Sequence, residues 1–102
     1  MKNEKIAVIS GANKGIGKEI LIALAKSQHT VIGTSRSDEG VAIINQTIKE
    51  NNFKGAGFVL DVKSIEAITN LNAFIQKEYG VVSVLVNNAG INKDNLLIRM
   101  SE

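Results

Sequence analysis

Ile6-Ala7-Val8-Ile9-Ser10-Gly11-Ala12-Asn13-Lys14-Gly15-Ile16-Gly17 divides into three parts. The four apolar residues Ile6 to Ile9 predict a strand buried on both faces, as in a parallel sheet. A glycine-rich turn follows at once. Ile16, Ile20, Ala23 and Leu24 then recur at helical spacing and predict the apolar face of a first helix. Strand, glycine turn and helix form the setting in which glycines serve a phosphate. Gly11 permits the sharp turn, Gly15 removes a Cβ where a diphosphate approaches the backbone, and Gly17 lets the helix lie close to the strand. The first N–H groups of that helix and the positive end of its dipole then face the anion. The spacing is Gly-x-x-x-Gly-x-Gly, not Gly-x-Gly-x-x-Gly. It also lacks an NTPase loop's ending, because Glu19 follows Gly17-Lys18 and offers no hydroxyl for Mg²⁺. A glycine-rich turn that binds nothing is the competing reading of this segment.

The rest of the chain narrows the setting. Its 102 residues, 44% hydrophobic and 22% charged, predict a single globular unit over 1–102. Twelve basic residues are scattered among 10 acidic ones, for a net charge of +2. They form no basic stripe and no aromatic platform accompanies them, so nucleic acid is not an expected partner. With no cysteine there is neither a disulfide framework nor a thiolate metal site. His29 is the only histidine and is read as a helix-end or surface residue, so no metal site is expected. The first apolar run stops after four residues and no segment is long enough to span a bilayer. A cytoplasmic location without membrane contact is the expectation.

A β-α rhythm organises the sequence. A first helix is predicted from about Ile16 to Lys26, then a β-branched strand Thr30 to Ser35. Asp38 and Glu39 favour the start of a second helix, with Val41, Ile44 and Ile48 on its apolar face. A third strand is predicted over Gly57-Phe58-Val59-Leu60. Ser64 serves as N-cap, with Glu66 in the first turn, for a third helix running to about Tyr79-Gly80. Val82 to Val86 then predict a fourth strand leading into Asn87-Asn88-Ala89-Gly90. Four strands alternating with three helices predict an α/β fold: a Rossmann-type doubly wound parallel sheet of about four strands, order 3-2-1-4, with helices on both faces.

In such a sheet, ligands sit outside the carboxyl ends of the strands. After the second strand, where an acidic residue would hold a ribose 2′-hydroxyl, stands Ser35-Arg36-Ser37. A guanidinium between two hydroxyls suits a 2′-phosphate, and Lys14 could add a second positive charge. Otherwise Arg36 is a solvated loop charge, and Asp38 keeps NAD as the minority reading. Asp61, closing the third strand, either accepts a hydrogen bond from an adenine amino group, with Val62 packed on the ring, or caps the next helix. The amides of Asn87 and Asn88 either bridge neighbouring strands and ribose hydroxyls or belong to a plain turn.

Gly11-x-x-x-Gly15-Ile16-Gly17, Asp61-Val62 and Asn87-Asn88-Ala89-Gly90, in this order, resemble the short-chain dehydrogenase/reductase family. Residues Asn88 to Met100 narrow the resemblance to its branch acting on 3-oxoacyl thioesters of acyl-carrier protein in type II fatty-acid synthesis. The resemblance runs the length of the chain. It implies NADPH laid across Gly11, Ala12, Asn13, Lys14, Gly15, Ile16 and Gly17. Arg36 would meet the 2′-phosphate, Asp61 and Val62 the adenine, and Asn88, Ala89 and Gly90 the nicotinamide-side ribose. Ser10 replaces the usual threonine before the first glycine and keeps its hydroxyl.

The family's chemistry also needs a Tyr-x-x-x-Lys pair, in which the lysine lowers the tyrosine pKa, and a serine that orients the carbonyl. The one tyrosine, Tyr79, is followed four residues on by Ser83, so no catalytic residue is assigned. The expectation is therefore a cofactor-binding half, inactive alone, of an NADPH-dependent reductase whose catalytic half is absent. A free-standing dinucleotide-binding module is the alternative. The resemblance implies a homotetramer for the complete enzyme. Leu96 to Met100 read as a helix just beginning, which would leave the fourth strand as an open apolar edge and this chain prone to association.

Overall fold

A computed structural model describes residues 5–61, 63–87 and 97–100. Its elements are β1 (Lys5–Ser10), α1 (Gly15–Lys26), β2 (His29–Ser35), α2 (Asp38–Glu50), β3 (Gly55–Val59), α3 (Ile65–Glu78), β4 (Val82–Asn87) and β5 (Leu97–Met100). They form one five-stranded sheet in the order β3-β2-β1-β4-β5. The first four strands are parallel and lie as the β-α rhythm predicts. β1 is buried from Ile6 to Ser10, as its unbroken apolar run requires.

Side-chain alternation along the strands builds two cores, one on each face of the sheet. Ala7, Ile9, Val31, Val84 and Val86 point to one face and pack with Leu21 of α1 and Ile44 and Ile48 of α2. Ile6, Val8 and Ile32 point to the other and pack with Ile75 of α3, flanked by Leu71 and Tyr79. Each fully buried aliphatic side chain here stabilises the fold by about 1.5–3 kcal/mol. Tyr79 also caps α3, its N–H donating to the Ile75 carbonyl at 2.7 Å.

Two expectations change. The first helix buries Gly17 and Leu21, with Ile20 and Leu24 partly covered, while Ile16 is 58% exposed and Ala23 is exposed. The apolar face is thus rotated from the one read off Ile16 and Ala23 and centres on Gly17 and Leu21. Secondly, residues 97–100 form a strand rather than a helix. β5 pairs antiparallel with β4, Val84 opposite Met100 and Asn87 opposite Leu97. The outer edge of β4 is therefore covered over Val84–Asn87, and the open edge from which association was expected does not exist there. The opposite border of the sheet is β3, where the Gly57 N–H donates to the Asn45 Oδ1 of α2 at 2.9 Å. That approach depends on Gly57, since a Cβ there would stand 2.9 Å from Ile44 Cγ2.

Candidate functional site

The registers Ser10↔Thr34, Ile9↔Val86 and Ser35↔Val59 bring the carboxyl ends of the four parallel strands to one level. The sheet's direction reverses between β1 and β4: β2 and β3 lie on one side of β1 and β4 on the other. That reversal is where a doubly wound sheet opens a crevice. The glycine turn, residues 11–14, sits above it. Gly11 and Gly15 take φ of 64° and 62°, left-handed values that strain other residues. A Cβ on Gly15 would meet nothing within 4 Å, so the backbone there faces open space. Lys14, in extended backbone, precedes α1 without a side-chain cap, and the first turn contains no acidic residue. The starting N–H groups and the dipole of α1 are thus presented outward with Lys14 beside them, an arrangement suited to an anion.

Nine of the thirteen nominated residues fall among the described ones. Ala12 is 1% exposed and its N–H donates to the Thr34 carbonyl at 3.0 Å, so its methyl and N–H are used inside the fold. Asn13 is half-buried, and Lys14, Gly15 and Ile16 are exposed at the rim. Gly17 is buried on the sheet side of α1. Arg36 is exposed after β2, on the same level as the turn. Asp61 is exposed, and its Oδ1 accepts the Lys63 N–H at 3.0 Å while its carbonyl accepts the Ser64 N–H at 2.9 Å. Asp61 therefore shapes the turn into α3, and the capping hydroxyl belongs to Ser64, which accepts the Ala67 N–H at 3.1 Å. Val62, Asn88, Ala89 and Gly90 lie outside the described residues.

Several polar groups have surroundings that the sequence did not assign to them. The Ser10 hydroxyl lies 3.3 Å from Asn87 Oδ1 and 3.5 Å from the Val86 carbonyl, joining β1 to the end of β4. Both hydroxyls placed at the phosphate by the sequence are used inside the fold: Ser35, 6% exposed, faces the Ser37 N–H at 3.4 Å, and Ser37 accepts the Gly40 N–H at 3.0 Å and caps α2. A serine before two acidic residues was a sufficient signal for that cap. Thr34 Oγ1 is buried with no hydrogen-bond partner among the described residues. It borders a cavity of about 140 Å³ beneath the site, which Ser10, Leu60, Leu71 and Asn87 also line. No signal in the sequence marked it. A buried hydroxyl left unpaired costs about 1–3 kcal/mol, a penalty that a water or ligand atom reaching it would relieve.

Fold and site together define a doubly wound α/β unit with a glycine turn at the reversal of its strand order. The family model for short chain dehydrogenases matches residues 5–102, and the chain belongs to that family. Among its relatives, the 3-oxoacyl-[acyl-carrier-protein] reductase of Pseudomonas aeruginosa is 44% identical over 98 residues, covering 96% of this chain and 40% of that one. The protein of the same name from Buchnera aphidicola subsp. Baizongia pistaciae is 48% identical over 98 residues, 95% of this chain and 39% of the relative. The crystal structure of 2-keto-3-deoxy-D-gluconate dehydrogenase from Streptococcus agalactiae superposes with a TM-score of 0.79 at 35% identity, over 89% of this chain and 34% of that one. The chain thus spans about two fifths of the length of these curated relatives. Among the described residues, no helix is long and apolar enough to cross a membrane, and no cluster of three metal-ligating side chains occurs.

Proposed function

We propose that this chain is the cofactor-binding part of an NADPH-dependent 3-oxoacyl-[acyl-carrier-protein] reductase. The observation that carries the binding role is the uncapped, acid-free start of α1, opening on clear space at Gly15. The residues present fit a dinucleotide. The α1 N-terminus with Gly15 and Lys14 would hold the diphosphate, and Arg36 the 2′-phosphate. The exposed carboxylate of Asp61 would take the adenine amino group, with Val62 on the ring and Asn88, Ala89 and Gly90 towards the second ribose. NADPH would supply a hydride, and the acyl-carrier-protein thioester would be reduced at its 3-oxo group to a 3-hydroxyacyl thioester. This substrate choice is supported by the 41–48% identity to reductases of that name.

Proton delivery is a separate matter. The 102 residues contain no Tyr-x-x-x-Lys, and Tyr79 packs inside the fold beside Ile75. The chain therefore binds the cofactor but does not complete the reaction, and the homotetramer belongs to the complete enzyme. A stand-alone binding module is the second reading, favoured by β5, which covers the edge of β4 within this chain. Titration of the 102-residue chain with NADPH and NADH, followed by nicotinamide fluorescence, tests the binding role. Tighter binding of NADPH, with no thioester-dependent oxidation above background, is expected. Equal affinities would remove the NADPH assignment, and turnover would place a proton donor within these residues.

A further inference from the structure

Position 40 lies in the first turn of α2 and is buried. A Cβ built there would overlap the Ser35 Oγ, stand 2.6 Å from the Ser35 Cβ and lie 3.2 Å from Asn13 Cγ. The three atoms it would meet thus come from β2's last residue and from the glycine turn. Ser35 has little freedom to retreat. It is 6% exposed, its carbonyl accepts the Leu60 N–H at 2.8 Å, and its Oγ faces the Ser37 N–H at 3.4 Å. Ser37 in turn accepts the Gly40 N–H at 3.0 Å. These two hydrogen bonds chain residues 35, 37 and 40 together, and Arg36 is the residue carried between the two serines.

We propose that Gly40 is a specificity-determining position for the 2′-phosphate of the dinucleotide, acting as a positioning residue through Ser35 and Asn13. This rests on the assignment of Arg36 to that phosphate. The notch left by the missing side chain sets how closely α2 approaches the glycine turn, and so where Arg36 stands relative to Lys14 and Gly15. A methyl group in the notch cannot be relieved by rotating the Ser35 hydroxyl alone, because the Ser35 Cβ is also too close. The backbone at residue 35 has to move, and Arg36 moves with it. None of the three nearest atoms belongs to α1, so the starting N–H groups of that helix, which serve the diphosphate common to NADH and NADPH, keep their place.

The test compares Gly40→Ala, Ser35→Gly, the double variant and Arg36→Ala in the 102-residue chain. Each is titrated with NADPH, NADH and adenosine 2′,5′-bisphosphate as a 2′-phosphate probe. Gly40→Ala is expected to weaken NADPH and the bisphosphate tenfold or more, with NADH within twofold. The double variant, which empties the space around the new methyl, should return NADPH to within threefold of the parent. A purely structural role would lower both cofactors together, and that parallel loss overturns the proposal, as does a failure of rescue. If Arg36→Ala shows selective loss while Gly40→Ala does not, the notch is refuted and Arg36 stands. If Arg36→Ala is not selective, or the parent chain binds neither cofactor, the underlying assignment falls and the proposal with it.

Discussion

Arg36 is exposed, so its interaction with a phosphate has to outweigh its hydration. A charged hydrogen-bonded pair contributes about 1.5–3 kcal/mol. Arg36→Ala should therefore weaken NADPH by that amount on titration and leave NADH unchanged. Gln28, just past α1, is held at φ 71°, a left-handed conformation that costs a side-chain-bearing residue roughly 1–2 kcal/mol. Gln28→Gly should raise stability to urea by about 1 kcal/mol or less, once the greater unfolded freedom of glycine is set against the relief. An unchanged midpoint would show that the chain relaxes there. The neighbouring His29 ring adds a contact at the helix end: its Nδ1 lies 3.1 Å from the Leu24 carbonyl, which only accepts, so that nitrogen carries the proton.

The helices differ in how openly their sequences announce them. α3 was marked by its N-cap, and Ser64→Ala should cost about 1 kcal/mol of stability, read from denaturant midpoints. A loss below a few tenths would mean that Asp61 shapes that turn without help. α2 closes with Asn52 at φ 57°, the Phe53 N–H reaching the Ile48 carbonyl at 3.0 Å and the Asn52 N–H the Lys49 carbonyl at 3.2 Å. Asn51-Asn52 had already signalled that stop. β3 begins at Gly55, two residues before its predicted start, because Val31 pairs with Gly55 and a pairing partner outweighs the low strand preference of glycine. Ile16 was misread for a related reason. Periodicity reports which residues share a helical face but not which of them the neighbouring strands cover. The notch at Gly40 lay beyond sequence reasoning altogether, since it arises from three segments meeting in space.

At the level of the assembled sheet, the sequence carried the layer architecture almost completely. The unbroken apolar run Ile6–Ile9 demanded burial on both faces, and helices had to cover it. What it did not carry was β5, because Leu97 to Met100 satisfy a strand or a helix equally and only a neighbouring edge decides between them. That pairing changes the standing of one β4 residue, which an open edge would have left half-bare. With its outer edge paired and its side chain 6% exposed among Ala7 and Val86, Val84 belongs to the core. Val84→Lys should then destabilise the chain by at least about 3 kcal/mol in a thermal melt followed by circular dichroism. A more soluble variant with an unchanged melt would mean that this face is not packed. The other border of the sheet depends on the Asn45 amide at the Gly57 N–H, and Asn45 travels with α2. A fluctuation that lifts α2 while the sheet stays intact would bare that donor to the next molecule. Shelf life in concentrated solution should therefore follow the opening rate of one helix rather than global stability. Aggregation lag times across variants should track exchange of the Gly57 amide more closely than melting temperature.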